Sequence, residues 1–140
     1  MKKLIALFLL ISSQANAWEF SGTPLCTVLH EGADMTLEMT YDPGLGEYTL
    51  NLTRTYSDWP AGPVFALRFD GPAGLTISTG SHSITGNQLT VKDSGFGNVL
   101  NGLQYNIRAV ALIAGSETAI SLQGAAPAVA AFRECDTPFV

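Results

Sequence analysis

The stretch Met35-Thr36-Leu37-Glu38-Met39-Thr40-Tyr41-Asp42-Pro43-Gly44-Leu45-Gly46-Glu47-Tyr48-Thr49-Leu50-Asn51-Leu52-Thr53 decides the fold class. Met35, Leu37, Met39 and Tyr41 alternate with Thr36, Glu38 and Thr40. Beyond the break, Tyr48, Leu50 and Leu52 alternate with Thr49, Asn51 and Thr53. A period of two is that of a strand with one buried face. The break itself, Asp42 to Gly46, is a turn cluster in which proline presets φ and glycine takes positive φ without steric cost. The spacing therefore predicts an antiparallel hairpin, with strands over 34–41 and 47–55.

The same period continues toward the C-terminus. Ser57 to Pro63 is loop, because its two prolines remove ladder donors. Phe65, Leu67 and Phe69 mark a strand, Asp70 to Gly74 a turn, and Leu75, Ile77 and Thr79 another strand. A short strand over Leu89 to Lys92 follows Gly86-Asn87. Asn98 is placed to cap a helical turn across Val99, Leu100 and Leu103. Asn106 to Ala114 and Glu117 to Gln123 read as a second hairpin around Gly115-Ser116. Its first strand is apolar on both faces apart from Arg108, which suits a central position. Pro127 fits a first helical position, so a short helix over 126–134 is expected, with Val129, Phe132 and Ala125 toward the sheet. With a first strand around Cys26, the expectation is an all-β, antiparallel sandwich or open barrel. It has about eight short strands and one short C-terminal helix.

The segment 1–17 reads differently. Met1-Lys2-Lys3 is basic, Leu4 to Ile11 is apolar, and Ala15-Asn16-Ala17 is a small-x-small cleavage pattern, the arrangement of a secretory signal peptide. Removal after Ala17 leaves a single domain over 18–140. Losing Lys2 and Lys3 then moves the formal net charge from −5 to −7, against bases that are few and scattered. That excludes the basic stripe of a nucleic-acid binder, and no Gly-x4-Gly-Lys-Ser/Thr loop is present. The apolar fraction of 46 % with 14 % charged residues is globular rather than disordered. No later apolar run approaches the roughly 18 to 20 residues of a membrane helix. The expected compartment is the periplasm or the exterior, and in such a place Cys26 and Cys135 read as a disulfide.

Several constellations carry possible chemistry. Ser81, His82, Asp93 and Ser94 supply the residue types of a serine hydrolase, but the Gly-x-Ser-x-Gly elbow is absent. Cys26, His30, His82 and Cys135 would form a zinc set only if the cysteines stayed reduced; the alternative for His30 is a solvent-exposed strand end. Glu31 with Asp34, and Asp42 with Glu47, flank turns and read as solvated turn residues. Arg68 and Arg108 sit in apolar strands and call for a partner, Asp70 or Asp93. Tyr56 and Trp59 lie in the Pro-rich loop, and Phe96 lies between two glycines. These three aromatics are the candidate binding residues, set against the alternative that they fold back onto the sandwich. No catalytic residue, metal or cofactor is assigned. The expected function is an exported, non-catalytic binding or interaction module. The alternatives are an envelope structural protein and, third, a small serine-type hydrolase. The expected partner is an envelope protein or a small ligand, not nucleic acid.

The order of several pieces resembles a known group. They are Ala66-Leu67-Arg68-Phe69-Asp70-Gly71, Leu75-Thr76-Ile77-Ser78-Thr79 and Ser94-Gly95-Phe96-Gly97-Asn98-Val99-Leu100-Asn101-Gly102-Leu103. To these are added Ile120-Ser121-Leu122-Gln123-Gly124-Ala125-Ala126-Pro127-Ala128-Val129 and Phe132-Arg133-Glu134-Cys135. Over roughly residues 63–135 the chain resembles small exported alphaproteobacterial proteins. More distantly it is similar to the invasion-associated locus B family of periplasmic proteins. The resemblance implies an envelope protein and carries over no catalytic residue.

Overall fold

The computed structural model describes residues 17–135, so the leader reading falls outside the described residues except at Ala17. In chain order the elements are β1 (Glu19–Ser21), β2 (Cys26–Glu31), β3 (Met35–Asp42), β4 (Glu47–Arg54), β5 (Phe65–Asp70) and β6 (Leu75–Thr79). They continue with β7 (Ser83–Thr85), β8 (Gln88–Asp93), α1 (Gly97–Tyr105), β9 (Arg108–Ile113), β10 (Ser116–Ser121) and α2 (Ala125–Cys135). The strands build two antiparallel sheets, ordered β1-β2-β3-β4-β8-β7 and β10-β9-β5-β6.

The deciding hairpin forms as read, with Met35 opposite Arg54 and Asp42 opposite Glu47. Its apolar parity, Met35, Leu37, Met39, Leu50 and Leu52, is buried. These side chains meet Phe65, Leu67 and Phe69 of β5 and Ala109, Ala111 and Ile113 of β9 in one core. Each such large side chain removed from water contributes about 1.5–3 kcal/mol, so this single layer dominates the stability. The opposite parity carries polar groups across the strands: Thr90 Oγ1 donates to Asn51 Oδ1 at 2.6 Å, and Asn51 Nδ2 donates to Glu38 at 3.3 Å. The second hairpin, β9–β10, turns on Ala114 and Gly115, both at positive φ. Strand β9 is central in its sheet, between β10 and β5, in keeping with its apolar sequence.

Helix α2 lies against β1 and β2 of the large sheet and packs on α1, which in turn touches β6 and β9 of the small sheet. Ala125, Val129 and Phe132 form its buried face. Cys135 at its end is bonded to Cys26 at the start of β2, with 6.2 Å between the Cα atoms. Helix α1 is pressed onto β5 so closely that a Cβ on Gly102 would lie 2.3–2.5 Å from three atoms of the Phe69 ring. Only glycine fits there. Asn106, just past α1, is buried. It receives the Ala73 N–H at 2.9 Å and donates to the carbonyls of Ala73 and Gly102 at 3.1 Å each. One side chain thereby locks the β5–β6 turn to the helix end.

Four local expectations change. The strands β1 and β7 join the eight expected; at three residues each they are too short to show alternation. The helical turn expected from Asn98 is a nine-residue helix that begins earlier, because the Leu100 N–H already bonds the Phe96 carbonyl at 2.8 Å. Its N-cap is Phe96, without a side-chain bond, and Asn98 lies inside the helix. Pro127 is the third residue of α2 rather than its first. Its missing N–H costs nothing there, since the first-turn N–H groups have no intrahelical partner. His30 is not at a wet strand end but 2 % exposed on the inner parity of β2.

Candidate functional site

The two sheets do not close on both sides. Between β4 and β8 of the large sheet and β5 and β6 of the small one lies a cleft of about 710 Å³. Its volume falls inside the roughly 300–1,000 Å³ typical of small-ligand sites. The floor is apolar: Leu50, Phe65, Leu67, Ile77, Val91 and Phe96. The rim holds Ser81, Lys92, Asp93 and Asn98. Lys92 and Asp93 are adjacent in sequence and of opposite charge, so the mouth has no net charge from side chains.

Burial shows where the sandwich is unfinished. On β5 the inward residues Phe65, Leu67 and Phe69 are buried. On its neighbour β6 the inward residues Leu75, Ile77 and Thr79 are only half-buried. On β8, Leu89 is buried beside β7, whereas Val91, beyond the last β7 pairing at Ser83–Thr90, is half-buried. The same side chains would be enclosed if another element lay along these strands.

A second, smaller hollow of about 340 Å³ lies on the outer side of the small sheet. Tyr56 and Ser57 overhang it, and Arg54, Arg68, Arg108, Asp34 and Glu117 supply its charge. The expected partner of Arg68 and Arg108 is found: both guanidiniums grip Asp70, Arg68 Nε at 2.9 Å and Arg108 Nη2 at 2.7 Å. The side chains point outward from the sheet and stay partly wet, which suits paired charges. Hydrogen bonds from Arg68 and then Arg108 hold the Asp70 carboxyl below its ordinary range. The Arg68 guanidinium is held above its own, first by that hydrogen bond and then by the charge of Asp70.

The three aromatic candidates separate. Tyr56 is 82 % exposed at the smaller hollow. Phe96, 4 % exposed, lines the larger cleft and stacks on Tyr48 with centroids 5.3 Å apart. Trp59, 5 % exposed, is folded back into the core. Its Nε1 donates to the Leu52 carbonyl at 3.0 Å, its backbone N–H to Gly86 at 3.1 Å, and the Arg54 guanidinium sits 4.9 Å above its ring. The loop is pinned to the Gly86-Asn87 turn, where Arg54 N–H donates to the Asn87 carbonyl and Asn87 Nδ2 to that of Arg54.

The chemical constellations also separate. Ser81 and Asp93 both line the cleft, but His82 Nε2 donates to the Gly62 carbonyl at 2.9 Å, and the Ser94 N–H donates to Asp93 Oδ1 at 2.6 Å. No hydrogen bond among the described residues joins a serine hydroxyl to this imidazole. Cys26 and Cys135 are bonded to each other, so neither offers a thiolate to zinc. His30 stacks on Trp18 at 4.5 Å and its Nδ1 donates to the Ala17 carbonyl at 3.1 Å. Asp42 accepts the Gly44 N–H at 2.9 Å, as a turn residue does. Sequence reasoning did not find Ile77, Ser78, Thr79, Val91 and Lys92 as cleft residues. Both strands were legible, but nothing local to either says that they flank the same opening. Comparison with protein-family models, with curated proteins and with solved structures found no match to this chain.

Proposed function

We propose that the chain is an exported binding module that takes its ligand between its two sheets, with no chemical step of its own. The observation that carries this reading is the half-buried state of Ile77, Thr79 and Val91 over an apolar floor, beside a β5 whose inward residues are buried. A void at that position leaves the core surface without packing partners, so an occupant gains both burial and dispersion contacts. The Cys26–Cys135 bond supports a life outside the reducing cytoplasm. Among the described residues no helix is long and apolar enough to cross a membrane. The periplasm or the exterior, reached through a leader over residues 1–17, belongs to the same proposal.

The test is a titration with the neutral, environment-sensitive dye N-phenylnaphthylamine. Saturable fluorescence enhancement is expected for the wild type. Ile77→Trp and Thr79→Trp, each filling the cleft from a half-buried position, should weaken it at least tenfold, while Tyr56→Ala at the other hollow should not. Enhancement indifferent to both tryptophan variants would remove the cleft from the account.

A further inference from the structure

Strand residues point alternately to the two faces of a sheet, so one pocket on one face touches every second residue. The cleft breaks that rule twice. It is lined by Ile77, Ser78 and Thr79 in succession on β6, and by Val91, Lys92 and Asp93 in succession on β8. Three consecutive residues reach one cavity only along the edge of a strand. Strand β6 is the outermost of its sheet, and none of its backbone groups bonds backbone beyond its ladder with β5 among the described residues. The β7–β8 ladder stops at Thr90, which leaves the 91–93 end of β8 equally open on that side. Two unpaired backbone edges therefore flank an apolar floor.

We infer that the occupant of this cleft is an extended peptide segment of another protein, added as a strand along β6 with its apolar side chains at alternate positions on the floor. This rests on the cleft reading above and names its ligand class. An apolar small molecule would fill the floor and leave the edge N–H and C=O groups without partners; a peptide backbone satisfies both needs at once. The side-chain charges at the mouth cancel in Lys92 and Asp93, which matches a neutral backbone rather than an ionic head group.

Exposed edges invite unwanted pairing, and proteins guard them with shortness, charge or cover. The other outermost strands follow that practice. β1 and β7 have three residues each, and β10 carries Glu117 and lies against β3. β6 has five residues, Leu75-Thr76-Ile77-Ser78-Thr79, with no charge and no proline. It presents about 17 Å of open ladder. Helix α1 reaches β6 but takes none of its backbone groups among the described residues; an uncharged, unpaired edge beside an unfilled core is the arrangement strand addition uses.

The test uses the intact oxidised protein and a displayed library of random nine-residue peptides. Enriched sequences are expected to alternate apolar and polar residues. The best peptide should displace N-phenylnaphthylamine, slow amide exchange at 75–79, and lose at least tenfold in affinity when every second peptide N–H is methylated but not when the intervening ones are. Ser78→Lys, an exposed substitution, should lower its affinity similarly. Peptides that bind without alternation, or that tolerate N-methylation throughout, overturn strand addition. So does a failure of any peptide to enrich while the dye still binds, since the cleft then prefers a small apolar ligand. Concentration-dependent self-association abolished by Ser78→Lys overturns it in favour of a second copy. Loss of the cleft reading itself shows separately, as dye binding indifferent to Ile77→Trp.

Discussion

Gly102→Ala sets two effects of known size against each other. Alanine is the better helix residue by about 1 kcal/mol in a helix interior, and Gly102 lies within α1. Propensity alone predicts stabilisation. The new methyl, however, would stand 2.3–2.5 Å from three atoms of the Phe69 ring. Separations below 3.0 Å require something to move. Phe69 is buried in the core and cannot swing into solvent, so either its ring leaves its rotamer or α1 lifts from β5. Overpacking of this kind costs typically 1–3 kcal/mol, and here a helix with a buried Leu103 moves with the backbone. At the upper part of that range, about 2–3 kcal/mol against about 1 kcal/mol of propensity, the packing penalty wins with a net loss of about 1–2 kcal/mol. Urea unfolding is the assay: the midpoint should fall with the slope unchanged. Gly97→Ala is the matched comparison, since nothing lies within 4 Å of its Cβ position, and it should be neutral or stabilising. Equal stabilisation by both substitutions would refute the packing argument.

Reduction of Cys26–Cys135, which spans 109 residues of sequence, should lower stability by about 5 kcal/mol in the chain-entropy model. Calorimetry with and without reductant reads it, and coincident melting curves would count against the bond as a staple. Trp59→Ala should cost about 3–5 kcal/mol in urea unfolding, as for a core tryptophan, while leaving dye affinity within a factor of two. Asp70, whose carboxyl is held below its usual range by Arg68 and Arg108, contributes stability that is present above its unfolded value of 3.8 and lost as pH falls through its lower folded value. Wild type should therefore exceed Asp70→Asn in melting temperature at neutral pH, and the margin should shrink below about pH 4; a constant margin would contradict the linkage.

The hairpin of β3 and β4 was legible because its two faces differ in polarity from Met35 to Tyr41 and again from Tyr48 to Thr53, and burial of one face then fixes register. Helix α2 was legible through Ala128, Val129 and Phe132. What escaped the sequence has physical causes. β7 is held by three residue pairs with β8 and a Gly86-Asn87 turn, and β1 by three pairs with β2, so neither has room for a period. Trp59 reads as a loop aromatic until its indole finds the Leu52 carbonyl, a contact made by chain return rather than by local preference. His30 reads as wet because it stands at a strand end beside Glu31-Gly32, yet Trp18, twelve residues earlier, stacks on it. The cleft escaped for the same reason: its walls are β6 from one sheet and the end of β8 from the other. Strand-local pattern carries no information about which elements end up without a neighbour.

The bond between Cys26 and Cys135 also has a mechanical meaning. It joins the beginning of β2 to the end of α2, so a pull applied from the two sides of that ring strips β1 from β2, then passes from one sulfur to the other and bypasses the remaining ladders of both sheets. From β2 to α2 the sandwich sits inside a covalent ring and does not bear the load. Reduction transfers the force to the β-ladders and releases roughly 360–390 Å of additional contour from the 109-residue span. The thiol balance of the surroundings thus decides whether the domain acts under tension as a short inextensible link or as a long extensible one.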